Sequence, residues 1–390
     1  MAGGSSADSP PIRVLVVDDS ALMRRVLSQM FQARPEFVVQ TAHDGEDAIA
    51  RVGEFEPDVI TLDVNMPRMD GITALSQIMV ERPTPVVMVS SLTQRDALPT
   101  LEALALGAVD FVPKPSGTVS RDLQKVEAEL VEKVRCAAQA RPARTFGRSQ
   151  GGRSSAAKPD SGAQRLRSQQ AHAPCGGGRA KPTATPGLGP DTPEGAVLIG
   201  VSTGGPRTLE HILPQLPAHF PYPVLLIIHM PSTFTGAFAR RMDQLCEVPV
   251  VEVTRQTPLA AGTVYVGRGD ADFILATRAG KPVAMLAPAD TAVPWHPSVD
   301  RLVQSALRCM SPDSLLGVQL TGMGDDGAKT MAQLHAAGGY TIAESEESAV
   351  VFGMPRVLIE MGGASVVLPA QEISDEIVRW AGNMRMARCR

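Results

Sequence analysis

Short aliphatic runs that are continuous, not alternating, constrain this chain more than any other feature. Ile12–Val17, Asp58–Leu62, Pro85–Val89 and Val109–Val112 are such runs. A strand with one wet face alternates apolar and polar residues. A run that is Val, Ile or Leu at nearly every position suits a strand covered on both faces. Helical patterns separate the runs, which predicts right-handed βαβ units and a parallel sheet. The same alternation returns later at Ala196–Val201, Val224–Ile228, Thr263–Val266, Gly317–Leu320 and Tyr340–Ala343. The expectation is therefore two α/β units, over residues 11–127 and 194–388, the second doubly wound.

Residues 128–193 between them read as a linker. From 138 to 190 the periodic pattern is gone, and nine Lys/Arg stand against one Asp. Such a Gly/Ser/Arg-rich stretch buries too little apolar surface to offset ordering entropy, so a flexible segment is expected. The whole chain carries a formal net charge of −4. That balance, with no basic helix-turn-helix pattern in the second half, argues against nucleic acid as a partner. Five scattered cysteines include no C-x-x-C pair, so neither a disulfide frame nor a zinc site is expected. Free thiols at this density suit a reducing cytosol. The start has no basic region followed by an apolar one, as a signal peptide would, and no apolar run approaches membrane-spanning length. A cytoplasmic monomer without membrane insertion is the expectation.

Three carboxylates stand at the ends of predicted strands in the first unit. Asp18 and Asp19 follow Val14–Val17, and Asp63 follows Val59–Leu62. Functional groups of an open parallel sheet gather outside the carboxyl ends of its strands. Three neighbouring carboxylates repel unless a cation neutralises them, and a hard oxygen-seeking ion such as Mg²⁺ fits. Ser90 and Lys114 end the next two strands. A carboxylate nucleophile, a metal, a hydroxyl and an ammonium together make a phosphoryl-transfer site. Taken singly, an Asp after a strand is usually a helix cap and a terminal Lys is usually solvated.

The stretches Val16-Val17-Asp18-Asp19-Ser20, Leu62 through Gly71 and Phe111-Val112-Pro113-Lys114-Pro115 resemble the receiver domain of two-component response regulators. The resemblance implies a flavodoxin-like fold with a parallel five-stranded sheet. It also implies phosphorylation of Asp63 by a phosphohistidine on a sensor kinase, and Mg²⁺ held by Asp19, Asp63 and the carbonyl of Asn65, with Asp18 in support. Ser90 and Phe111 fall at the family's switch hydroxyl and switch aromatic, and Lys114 at its lysine. The Lys114–Pro115 bond is cis in that family.

In the second unit, Val197–Val201 runs straight into Ser202-Thr203-Gly204-Gly205-Pro206. Glycines permit a sharp turn, and Pro206 suits the first turn of a helix. Ser202 would then sit above free N–H groups that favour an anion or a developing oxyanion. A phosphate loop, a nucleophile turn and a plain helix cap all remain open for this stretch alone. It lacks the lysine of a P-loop and the spacing of a dinucleotide fingerprint. His229 ends the strand Val224–Ile228, and the turn Thr321–Gly327 carries Asp325 and Asp326. Hydroxyl, imidazole and carboxylate arriving at one sheet edge match the roles of a catalytic triad, which geometry defines and chain order does not.

Ile199–Pro206, His229-Met230-Pro231 with Phe234-Thr235, Leu320–Gly327, His296–Asp300 and Glu346–Pro355 resemble the catalytic domain of the CheB family, the protein-glutamate methylesterases. The resemblance implies Ser202 as nucleophile, His229 as base and Asp326, in preference to Asp325, as orienting carboxylate. It places Thr203, Gly204 and Met323 near the oxyanion site, and it implies no cofactor in this unit. Implied partners are a chemotaxis histidine kinase of the CheA type as phosphodonor and methyl-accepting chemoreceptors as substrate, with deamidation of receptor glutamines beside demethylation. At Gly267–Asp272 the chain departs from the Ala-Pro-Gly-Asp usual in the family, which bears on substrate contacts and not on the triad. The rival expectation is a response regulator whose second unit binds without catalysing.

Overall fold

The structure is a computed structural model that describes residues 10–91, 93–114, 120–140, 193–290 and 293–388. In the first unit, five strands alternate with five helices. They are β1 (Ile12–Val17), α1 (Ala21–Gln32), β2 (Phe37–Ala42), α2 (Gly45–Phe55), β3 (Val59–Asp63), α3 (Gly71–Glu81), β4 (Val86–Ser90), α4 (Gln94–Leu106), β5 (Asp110–Pro113) and α5 (Ser120–Gln139). The sheet order is β2-β1-β3-β4-β5, parallel throughout. The order reverses between β1 and β3, so ligands belong in the crevice at their carboxyl ends. Every residue of β3 and β4 is buried, as the unbroken aliphatic runs require. Helix α5 continues to Gln139. Residues 128–139, assigned to the linker on composition, are therefore helix, and Leu130, Val131, Val134 and Ala137 are buried in the core. Their i, i+1, i+4, i+7 spacing gives the helix an apolar face that composition alone does not reveal.

The second unit opens with β6 (Ala196–Val201), α6 (Gly205–Ile212), β7 (Val224–Ile228), α7 (Ser232–Leu245), β8 (Val250–Val253), β9 (Thr257–Pro258) and β10 (Val264–Gly267). It continues with β11 (Asp272–Arg278), β12 (Lys281–Ala287), α8 (Val299–Cys309), β13 (Leu315–Gln319), α9 (Ala328–Ala336), β14 (Tyr340–Glu344), α10 (Met354–Glu360), β15 (Val366–Leu368) and α11 (Ala370–Arg388). Seven parallel strands run in the order β15-β14-β13-β6-β7-β10-β8. The chain winds outward from β6 on one side, then returns to β13 on the other. The crevice lies where it turns back, over the ends of β13, β6 and β7. A small antiparallel sheet, β11-β12-β9, accompanies it; the sequence reading did not anticipate this sheet, nor the edge strands β2, β8 and β15. Strands β2 and β8 carry polar residues, as in the β8 sequence Val-Val-Glu-Val, and β15 is only three residues long, so none shows a long aliphatic run.

The two units touch. Helix α4 packs against α6 and α7, and one buried apolar cluster runs from Leu101 and Leu104 into Phe234 and Phe238. Close approach also matters within the receiver. A Cβ on Gly71 would lie 1.9 Å from the Asp63 backbone oxygen. Gly71→Ala therefore forces α3 away from the end of β3, and we expect a loss of about 1–3 kcal/mol, as for other overpacked sites. Urea denaturation of the two proteins measures it.

Candidate active sites at two sheet edges

The receiver pocket forms at the ends of β1, β3 and β5. Asp18 and Asp63 are buried and Asp19 is exposed. Ligand oxygens from the three lie within 4.8 Å of one another. Lys114 Nζ sits 2.8 Å from Asp18 Oδ2 and 2.7 Å from Asp63 Oδ2. Burial pushes the Asp63 carboxyl up, and Lys114 only partly offsets it. Burial alone would pull the Lys114 ammonium down, but its bonds to Asp18 and Asp63 outweigh this and hold it above its ordinary value. An all-oxygen donor set of three carboxylates, two of them buried, fits a hard divalent cation. Asn65 lies beside this group, its side chain donating to Asp96 Oδ1 at 3.1 Å. Ser90 ends β4, buried, and its hydroxyl accepts from Thr100 Oγ1 on α4 at 3.2 Å. Pro115 lies outside the described residues, and the Lys114–Pro115 bond with it.

In the second unit, Val201 of β6 pairs with Ile228 of β7. The next residues on these adjacent strands are Ser202 and His229, so both side chains stand at one rim. The His229 backbone N–H reaches back to the Val201 carbonyl at 3.2 Å. His229 Nε2 meets Asp326 Oδ2 at 2.8 Å. Its Nδ1 is buried and has no hydrogen-bond partner, which leaves that nitrogen for proton exchange. Asp326 follows β13 and is almost fully buried. Ser298 Oγ donates to it at 2.8 Å, Val299 N–H at 2.7 Å and Asp300 N–H at 3.1 Å. These are the cap and first turn of α8, whose dipole favours an anion. Burial would push the Asp326 carboxyl up, yet His229 and the α8 N–H groups win, and it is held below the usual carboxylate range. Asp325 is exposed.

Thr203 and Gly204 form the turn after Ser202, but the N–H groups there are not free as expected. Gly204 adopts φ 79° and donates its N–H to the Val109 carbonyl of the receiver at 3.2 Å. The Gly205 N–H is turned to the Ser202 carbonyl at 2.8 Å. Thr203 Oγ1 donates to Asp110 of the receiver at 2.5 Å. Buried Lys133 pairs with that same Asp110 at 3.2 Å and donates to the Phe111 carbonyl at 2.8 Å. Phe111, expected as the switch aromatic, packs against Phe234 of α7 with ring centroids 4.4 Å apart. The receiver's β5 edge thus lies directly on the turn that carries Ser202. Met323 is partly exposed beside Gly322, whose carbonyl accepts the Met354 N–H at 2.8 Å.

Two supporting residues escaped the sequence reading. Ser298 is legible in hindsight as a helix cap ahead of an apolar run. Glu344 gave no signal. It ends β14, fully buried, and accepts the Thr321 N–H at 2.8 Å and the Ser348 hydroxyl at 2.9 Å. The Thr321 carbonyl in turn accepts the Ser202 N–H at 2.9 Å.

An acidic, lysine-bridged pocket on a five-stranded parallel sheet, joined to a hydroxyl–imidazole–carboxylate rim on a second sheet, defines a response regulator whose output unit is built like a serine hydrolase. The receiver-domain family matches residues 14–125, and the CheB methylesterase family matches 197–377. The "Protein-glutamate methylesterase/protein-glutamine glutaminase 3" of Rhodospirillum rubrum is 50% identical over 368 residues, covering 94% of this chain and 96% of its own. A namesake numbered 2 from Rhodopseudomonas palustris is 49% identical over 374 residues, covering 95% and 98%. The crystal structure of the Thermotoga maritima CheB methylesterase catalytic domain is 39% identical, covering 47% of this chain and 97% of its own, with a TM-score of 0.46. The chain belongs to the CheB family of response-regulator methylesterases.

Burial pushes the Glu344 carboxyl from 4.5 up to about 7. Between those values the folded chain holds a proton that the unfolded chain has released. Stability contributed by the protonated form is thus complete at low pH and lost as pH rises through 7. Glu344→Gln keeps an acceptor for Thr321 and removes this dependence. It should stabilise the second unit by roughly 2–4 kcal/mol at pH 8 and by little at pH 5, as read from urea midpoints at both pH values.

Proposed function

We propose that this chain is a phosphorylation-controlled protein-glutamate methylesterase that hydrolyses glutamyl methyl esters on chemoreceptors. The same acyl chemistry would release ammonia from receptor glutamines. One observation carries the reading. Ser202 and His229 follow paired positions of adjacent strands, and His229 spends Nε2 on Asp326 while keeping Nδ1 unpartnered.

In this reading His229 Nδ1 takes the Ser202 proton as Oγ attacks the ester carbonyl. The nitrogen roles are swapped relative to the trypsin-type triad, where the δ nitrogen faces the carboxylate. Asp326 holds the imidazole tautomer and offsets the imidazolium charge. Its three α8 donors keep it ionised and fixed. N–H groups of the Thr203–Gly204 turn, with Met323 nearby, would receive the oxyanion once the receiver withdraws. Methanol leaves with the proton from His229, and water activated by the same base frees the glutamate.

The receiver supplies control. Asp63 is the phosphoacceptor for a chemotaxis histidine kinase. Mg²⁺ held by Asp19, Asp63 and the Asn65 carbonyl, beside Asp18, would neutralise the incoming phosphoryl oxygens. Lys114 would pair with the same charge, and Ser90 and Phe111 would carry the change to the β5 edge. That edge now engages the Gly204 N–H and the Thr203 hydroxyl, so the unphosphorylated receiver both covers the nucleophile turn and ties up its donors. The polar contacts are worth on the order of 1 kcal/mol each, and the tilted Phe111–Phe234 pair about 0.5–1.5 kcal/mol. They add to the apolar packing of α4 on α6 and α7, and covalent attachment lets a modest interface persist and still be released. We take the receiver as ending with α5 at Gln139 and the esterase as starting at β6. No described helix is long and apolar enough to cross a membrane; we propose a cytoplasmic monomer.

Methanol release from methyl-labelled receptor tests the reading. Ser202→Ala should abolish it, and Asp326→Asn should lower kcat by about 10²–10⁴-fold. A Ser202→Ala chain as active as the wild type would sink the esterase. A small-molecule phosphodonor should raise the rate of the full chain and leave Asp63→Asn unchanged. Equal rates with and without donor would remove the regulatory half alone.

A further inference from the structure

The imidazole of His229 is held by a contact that the triad does not explain. The Trp295 indole lies flat on it, ring centroids 4.9 Å apart and planes 7° from parallel. We propose that Trp295 is a positioning residue for the base, fixing the plane of the His229 ring and stabilising its protonated form during acyl transfer. This rests on the esterase reading above.

Three observations carry it. First, His229 has one side-chain hydrogen bond, at Nε2 to Asp326, and its Nδ1 has none. A single bond pins one atom of the ring and leaves its tilt about that bond undetermined. A parallel aromatic face removes that freedom. Second, taking the Ser202 proton creates an imidazolium, and tryptophan is the aromatic side chain that attracts a cation over its face most strongly. The charge is then met by the Asp326 carboxylate at one edge and the indole on one face. Third, the loop that carries the indole is anchored at its next residue. The adjoining His296 bonds buried Asp272 through Nδ1 at 2.9 Å, and Asp272 also accepts from Arg301 Nε at 3.1 Å. The His296 carbonyl accepts the Asp270 N–H at 3.2 Å. Three residues after Trp295, Ser298 begins the α8 cap that grips Asp326. One short segment, 295–300, therefore holds both the base and the carboxylate that orients it. A tryptophan serving only to cover apolar surface would not need to lie parallel to the His229 imidazole.

The test uses the full chain with its phosphodonor and methyl-labelled receptor. Trp295→Leu should lower kcat roughly 2- to 30-fold with KM unchanged, the range of a cation–π contact. Trp295→Phe, which keeps a face, should recover most of the loss. A raised KM with unchanged kcat would make Trp295 a substrate contact and overturn the proposal, as would no change at all. A spectroscopic arm is independent of turnover. The chain has two tryptophans, so in a Trp380→Phe background the emission reports Trp295. Adding His229→Ala uncovers the indole face to water and should shift its emission to the red; an unmoved spectrum overturns the stack. A wild-type chain that releases no methanol sinks the esterase reading itself, which differs from an active wild type indifferent to Trp295→Leu.

Discussion

The Asp326 carboxylate at the N-terminus of α8 is the interaction on which the catalytic rim depends. An ionised carboxylate buried without donors would cost several kcal/mol. Here the Ser298 hydroxyl and the Val299 and Asp300 N–H groups meet it on one side and the His229 ring on the other. The helix supplies donors that would otherwise be orphaned, and the charge supplies the reason for the helix to start where it does. The imidazole inherits its orientation from this arrangement. So the carboxylate is a structural joint between α8 and the β13 turn as well as the partner that fixes the imidazole.

The same economy recurs at the turn that bears Ser202. Thr321 is a hub: its N–H goes to Glu344, its carbonyl receives the Ser202 N–H, and its hydroxyl reaches the Thr203 carbonyl at 2.9 Å. Glycine is required at Gly204 for two reasons. Its φ is positive, and a Cβ there would lie 2.5 Å from Val350. A turn this tight places the Ser202 hydroxyl at the rim and presents backbone donors to whatever docks over it. In this state what docks is the receiver, through the carbonyl of Val109 and the carboxylate of Asp110. Lys133, fully buried and held above its ordinary value against the pull of burial by Asp110 and Glu129, keeps that carboxylate aimed across the boundary.

Strand-end chemistry was legible in the sequence because parallel sheets announce themselves. Unbroken runs such as Val14–Val17 and Val197–Val201 mark central strands, and the polar residue that ends each one falls on the functional edge. Asp18, Asp63, Lys114, Ser202, His229 and the Thr321–Gly327 turn were all found this way. What escaped has no such marker. Edge strands β2 and β8 mix polar with apolar residues, and β15 has only three residues. Glu344 looks like any acidic residue at a strand end until its complete burial is seen. Trp295 sits in a loop with no periodicity to give it a direction. The first stretch of the expected linker, residues 128–139, was misread because its Glu, Lys and Arg content hid an apolar helix face.

By itself the sequence determined two parallel α/β units, their order, and which residues stand at the strand ends, because hydrophobic periodicity and turn chemistry are local and written residue by residue. Tertiary structure alone decided which nitrogen of His229 faces the carboxylate, which of two adjacent aspartates is buried, and that the receiver's β5 edge occupies the donors beside Ser202. Those outcomes depend on strand register and on helices packing from distant parts of the chain. Neither is encoded within any one segment.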